Sequence, residues 1–141
     1  MNEVYSNIFI GNWIEGQTAA KSGEYFTINV TEIVENPFAQ LQYKLVRQYA
    51  ATDALIIPIS DLEYLADIID AHWQFGERCV VHCTAGIERS PLVVAYYLHK
   101  YHNLSLDEAY AIIRGARPEI LDRRGWIQYE SPKQFLEESK Q

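Results

Sequence analysis

The sequence predicts an α/β domain with a central, mostly parallel sheet flanked by helices, and three observations carry that expectation. Short β-rich runs alternate with helical ones, capping-box spacings recur at Ser60 and Ser105, and one strand of buried type meets a helix across a tight loop. In order, residues 7–10 and 25–30 read as strands around a brief helix that Gly23 ends, and residues 44–49 as a looser strand. Ser60-Asp61-Leu62-Glu63 has the capping-box spacing, after which Leu62, Leu65, Ala66, Ile69 and Trp73 share one helical face up to a stop near Gly76. Residues 78–82 suit a short buried strand, and Pro91 then occupies the first turn of a helix reaching about Tyr101. The spacing Ser105 to Glu108 repeats the cap ahead of Leu106, Ala109, Tyr110 and Ile113, with Gly115 as the expected stop. Ser131-Pro132 opens a final short helix. Tyr96, Tyr97, Tyr101 and Tyr110 fall at helical spacings that read as core and amphipathic surface before they read as a partner-binding stripe.

A chain of 141 residues with 48% hydrophobic content, no low-complexity linker and no internal repeat is expected to form one domain over residues 1–141. Its 12 Lys and Arg against 19 Asp and Glu give a net charge of -7. That balance argues against nucleic-acid backbones and anionic membranes as partners, so any anion site must be local. No run of 18 apolar residues occurs and residues 1–6 lack a signal-peptide pattern, so a cytoplasmic location is expected. The sequons at Asn29 and Asn103 then have no route to glycosylation. Cys79 and Cys83 would stand roughly 13 Å apart in an extended segment, beyond disulfide reach, and are expected as free thiols.

The chemistry concentrates in His82-Cys83-Thr84-Ala85-Gly86-Ile87-Glu88-Arg89-Ser90. This places a cysteine at the carboxyl end of a strand, where open α/β sheets bind ligands, and an arginine at the start of a helix. A helix N-terminus presents unpaired N–H groups and the positive end of a dipole, which together cradle anions. Five residues lie between Cys83 and Arg89, enough for the loop to wrap a tetrahedral oxyanion, with Gly86 permitting close backbone approach. The inward N–H groups and the guanidinium also favour negative charge on sulfur, which makes Cys83 a candidate nucleophile. Arg89, a planar fork of donors, can hold two oxygens of a phosphoryl group as charge redistributes.

His-Cys, two residues, Gly, two residues, Arg-Ser resembles the signature of the protein tyrosine phosphatase superfamily, in particular its small atypical dual-specificity branch. The resemblance extends to residues 6–12 and 27–31 as opening strands and to residues 104–118 as the helix after the loop. It implies a cysteine-phosphatase fold whose phosphate-binding loop comprises Thr84, Ala85, Gly86, Ile87, Glu88 and Arg89 between a strand and a helix. It further implies Cys83 as the nucleophile of a cysteinyl-phosphate intermediate, Arg89 as phosphate clamp and Ser90 as the hydroxyl that helps the intermediate break down. The family's general acid is an aspartate on a loop upstream of the cysteine. Asp53, thirty residues before Cys83, fits that position better than its rival Asp61, whose place beside the capping box suggests a structural role. His82 matches a residue that braces the loop. Asn29 either ties the second strand to that loop or is a satisfied core amide.

The implied activity is metal-independent hydrolysis of phosphomonoesters, with phosphotyrosine and phosphoserine or phosphothreonine proteins or small phosphoesters as substrates and tetrahedral oxyanions as inhibitors. No cofactor is expected. A phospho-binding module without turnover is the alternative from another class, and RNA 5′-triphosphate or phosphoinositide are alternative substrates. Glu88 in the loop is expected to repel polyanionic headgroups. Zinc on Cys79, His82, Cys83 and His72 lacks paired-ligand spacing, and adjacent strand residues point to opposite faces. Cys79 reads as a small core residue, with a redox partnership to Cys83 as the other reading. Arg114, Arg117, Arg123 and Arg124 gather after the loop, either as a basic rim for a second phosphate or as a solvated helix end.

Overall fold

The computed structural model describes residues 1–32, 35–49, 55–131 and 134–136. Its elements run β1 Asn2–Tyr5, β2 Ile8–Gly11, α1 Trp13–Ser22, β3 Phe26–Asn29, β4 Leu41–Gln42, β5 Gln48–Tyr49, β6 Leu55–Pro58, α2 Ile59–Gln74, β7 Cys79–His82, α3 Arg89–Tyr101 and α4 Leu106–Ala116. A 3-10 turn, Arg124–Trp126, leads into β8 Ile127–Gln128. The main sheet has the order β1-β2-β7-β3-β4, parallel except where β1 meets β2, and β5-β6-β8 form a second small sheet. The expected α/β architecture is therefore present.

β7 lies at the centre, and all four of its residues are buried, as befits a β-branched run covered on both faces. Its register pairs Val81 with Ile10 and Ile28, and His82 with Gly11 and Asn29. Three parallel strands thus end level, and Cys83 emerges just beyond their carboxyl ends. α3 buries ten consecutive residues, Ser90 to His99, because it packs on β7 and β2 while α2 and α4 flank it. Tyr96, Tyr97 and Tyr110 are fully buried core residues, whereas Tyr101 stays partly exposed. Cys79 is also fully buried, and burial, helped by Glu77, pushes its thiol up to about 12. A thiol held protonated in the core is a packing group. Both cysteines are free, as the spacing required. Among the described residues no helix is long and apolar enough to cross a membrane.

Local differences from the sequence reading have identifiable causes. β1, β4, β6 and β8 have no counterpart in the sequence reading, and of residues 44–49 only 48–49 form a strand, β5. β4 and β5 belong to different sheets, and between them Leu45 drops fully into the core. The Ser60 capping box does not form. Pro58, at φ -59 and ψ 135, turns the chain from β6 directly into α2, so Ser60 already lies inside the helix and no side chain caps it. The box that does form early is Asn12 with Glu15, in which Asn12 Oδ1 accepts from the Glu15 amide at 2.8 Å and Glu15 Oε1 accepts from the Asn12 amide at 2.9 Å. Gly23 ends α1 in the left-handed conformation, and Ser105 caps α4 with Glu108, both as expected. Gly115 does not stop α4, which continues until the Arg117 amide donates to the Ile113 carbonyl at 2.9 Å. Ser131 opens a helical turn by accepting from the Gln134 and Phe135 amides, each at 3.1 Å, while Pro132 lies outside the described residues.

One glycine brings α1 against the sheet. A Cβ at Gly16 would stand 2.2 Å from Cδ2 of the fully buried His82. Gly16→Ala is therefore expected to destabilise the fold by roughly 1–3 kcal/mol despite alanine's better helix propensity, because α1 must move off His82. Urea unfolding checks this, and a midpoint at or above that of the unaltered protein would contradict it.

Candidate active site

The loop from Cys83 to Arg89 is shaped from outside by its carbonyl groups. The Thr84 carbonyl accepts from the Trp13 amide at 3.0 Å, the Ile87 carbonyl from the Leu121 amide at 2.8 Å, and the Glu88 carbonyl from the Leu92 amide at 3.2 Å. Arg117 supplies the two between: its Nε donates to the Gly86 carbonyl at 2.9 Å and a terminal nitrogen to the Ala85 carbonyl at 3.3 Å. Four consecutive carbonyls, of residues 84 to 87, thus have partners outside the loop, and the fifth opens the hydrogen-bond ladder of α3. In a trans peptide the N–H points opposite its carbonyl, so the amides of residues 85 to 89 are turned toward the interior of the loop. The Gly86 amide donates to Cys83 Sγ at 3.2 Å. Gly86 itself needs to be glycine twice over. Its φ is +74°, and a Cβ there would meet the Gly11 backbone and Arg117 at 2.8 Å.

Cys83 and Ser90 are both buried, and Cys83 Sγ lies 3.3 Å from Ser90 Oγ. The first turn of α3 follows directly, so the sulfur faces the positive end of that helix. Arg89 is held at two points: its Nε donates to the Leu45 carbonyl at 2.9 Å and a terminal nitrogen to Glu32 Oε2 at 2.5 Å. A guanidinium has five N–H donors, so this fixation still leaves an end-on fork for two ligand oxygens.

His82, expected as a brace of the loop, is fully buried directly before Cys83. Asn36, also fully buried, donates from Nδ2 to His82 Nε2 at 3.1 Å, which assigns the ring proton to Nδ1, 3.4 Å from the Cys83 carbonyl. Burial lowers the His82 pKa below its ordinary value, which favours the neutral ring. Asn29 acts one step away. Its amide donates to Gln42 Oε1 at 2.8 Å and accepts from the Thr31 amide at 2.9 Å, while its backbone lies opposite His82 in the sheet.

Asp53, the expected general acid, lies outside the described residues. Asp61 sits in the first turn of α2 and accepts from the Tyr43 hydroxyl at 2.6 Å, a structural bond other than the cap its spacing suggested. The four arginines after the loop do not form one rim. Arg117 is buried behind the loop, since its guanidinium is drawn to the Ala85 and Gly86 carbonyls, to Asn2 Oδ1 at 2.8 Å and to Glu15. Arg124 is tied to Asp122 and Asp107, whereas Arg123 pairs with the Glu88 carboxylate of the loop at 2.9 Å. That pair offsets the repulsion expected from Glu88. Three further contributors, Glu32, Asn36 and the bracing role of Arg117, carry no local signal because their partners are 31 to 57 residues away.

The sequence profile described as "Dual specificity phosphatase, catalytic domain" matches residues 8–130. Dual specificity protein phosphatase 18 of Rattus norvegicus is 32% identical over 139 residues, covering 92% of this chain and 67% of that protein. Dual specificity protein phosphatase 15 of Rattus norvegicus is 26% identical over 148 residues, covering 98% of this chain and 63% of that protein. The chain therefore spans less than two thirds of the latter's length. The crystal structure of human DUSP28 superposes with a TM-score of 0.74 at 20% identity, covering 99% of this chain and 96% of that one. A mouse putative dual specificity phosphatase complexed with zinc tungstate gives a TM-score of 0.73 at 23% identity, covering 99% and 86%. At such identities the two structures show a shared fold.

Proposed function

The chain belongs to the dual specificity phosphatase catalytic-domain family, and from that premise we propose that it hydrolyses phosphomonoesters without a metal, by way of a phosphoryl group carried on Cys83. The observation that carries this reading is the tethering of the carbonyls of residues 84 to 87 by groups outside the loop that surrounds the Cys83 sulfur. Such a frame turns amides toward a bound phosphoryl group before substrate arrives, so little reorganisation is left for the reaction itself.

In the first step Cys83 Sγ attacks phosphorus, the P–O bond to the leaving group breaks, and Asp53 gives its proton to the departing oxygen. In the second step Asp53 takes a proton from water, the water oxygen attacks phosphorus, and the S–P bond breaks to release inorganic phosphate and the thiolate. The inward amides and the free fork of Arg89 hold the three non-bridging oxygens throughout. Ser90 Oγ, 3.3 Å from the sulfur, donates to the departing thiolate in the second step. Residues 1–141 act as one catalytic domain, located in the cytoplasm, on phosphotyrosine and on phosphoserine or phosphothreonine proteins. Tetrahedral oxyanions compete for the loop.

Hydrolysis of p-nitrophenyl phosphate is expected to proceed unchanged in the presence of a chelator. Asp53→Ala is expected to slow it by about 10²–10⁴-fold and to flatten the basic limb of the pH profile, since that limb reports loss of the acid's proton. Asp61→Ala should mainly lower thermal stability through its bond to Tyr43. Dependence on added metal would contradict the mechanism, and the opposite pattern for the two aspartates would reassign the acid. A protein that binds oxyanions with no measurable turnover would instead be the phospho-binding module.

A further inference from the structure

The geometry points to an anion-binding subsite beside the phosphate loop, formed by Arg47, Arg123 and Trp126, that reads a second negative charge on the substrate, either a carboxylate or a phosphate near the scissile group; it rests on the phosphatase reading above. Both guanidinium groups lie over the indole of Trp126, each 5.1 Å from the ring centroid. Each also has a link to the loop. Arg123 Nε pairs with Glu88 at 2.9 Å, and Glu88 immediately precedes Arg89. Arg47 lies 3.9 Å from Glu32, the carboxylate that holds Arg89.

Charge and hydrogen bonding on this platform are not closed among the described residues. Three guanidinium groups, of Arg47, Arg89 and Arg123, share two carboxylates, Glu32 and Glu88, which leaves one positive charge in excess within a chain of net charge -7. Glu32 gives its short contact to Arg89 at 2.5 Å, and Arg47 Nε is a buried donor with no hydrogen-bond partner. A buried donor left unpaired is unfavourable, and two guanidinium groups against one ring repel each other, which an anion bound between them relieves. The Arg47 and Arg123 side chains remain 33% and 39% exposed, so a substrate can reach them. The indole keeps both cations extended, which lowers the entropy lost when an anion binds.

Three phosphotyrosine peptides of one length test this, flanked by alanine, aspartate or phosphoserine. The aspartate peptide, the phosphoserine peptide or both are expected to show about 3–10-fold higher kcat/KM than the alanine peptide, the range for one or two half-exposed ion pairs. Which of them gains identifies the source of the charge. The preference should fall toward one in Arg47→Gln and in Arg123→Gln and persist in Arg78→Gln, a cation at the opposite end of β7. Calorimetry of the same peptides on Cys83→Ser protein gives a second readout, with the same order of affinity expected. Equal kcat/KM and equal affinity for all three peptides would overturn the subsite, as would a preference that survives both glutamine variants. Absence of both turnover and binding for every peptide would overturn the phosphatase reading beneath it.

Discussion

Cys83→Ser is expected to lose at least about 10⁴-fold of phosphoester turnover while still binding oxyanions, because the two properties come from different atoms. The bond to phosphorus is made by sulfur, and a serine hydroxyl in the same place is a far weaker nucleophile. The cradle is made by the amides of residues 85 to 89 and by Arg89, whose tethers through Leu45 and Glu32 do not involve the thiol. The Gly86 amide, now 3.2 Å from sulfur, keeps an oxygen acceptor at that position. Steady-state hydrolysis of p-nitrophenyl phosphate and calorimetry with tungstate separate the two. Undiminished turnover in the serine variant would remove Cys83 from the chemistry.

Arg117→Met is expected to be the most damaging change outside the reacting groups. It removes the partners of the Ala85 and Gly86 carbonyls, at a cost of roughly 2–4 kcal/mol for two buried acceptors left unpaired. The lost pairing with Glu15 adds less, since it is long, 3.4 Å, and that carboxylate keeps the Met1 amino group and the Asn12 amide as partners. Function should fall with stability: carbonyls free to rotate no longer force the opposing amides inward, so tungstate affinity is expected to drop by at least about tenfold. Arg117→Lys should not rescue either property, because a point donor cannot span the two carbonyls and Asn2 as the fork does. Urea unfolding and calorimetry measure the pair of effects. A variant that keeps both stability and affinity would return Arg117 to a solvated helix end.

These two residues show where the sequence was informative. Cys83, Arg89 and Ser90 fall in one contiguous segment, and the fixed geometry of strand, turn and helix converts their spacing directly into three dimensions. The supports do not share that property. Arg117 meets Gly86 across 31 positions, Asn36 meets His82 across 46 and Glu32 meets Arg89 across 57, so only the tertiary fold brings them together. Helix caps were legible in part. Ser105 capped α4 as its spacing required, and Asn12 with Glu15 carried the same spacing unread. Ser60 had the spacing too, yet Pro58 had already committed the backbone to α2. A capping pattern works only where the chain is still extended at the cap, which local sequence alone does not reveal.

The central claim is that a phosphoryl group passes through the sulfur of Cys83. Rapid acid quench of Ser90→Ala protein during turnover, followed by peptide mapping in a mass spectrometer, observes that step directly. Without the hydroxyl 3.3 Å from sulfur to ease thiolate departure, the second step should become slow and the intermediate should accumulate. The account predicts one phosphoryl group on the peptide carrying Cys83, formed in a burst matching the enzyme concentration. Continued turnover with Cys83 unmodified throughout, or with the phosphoryl group on another residue, would contradict it.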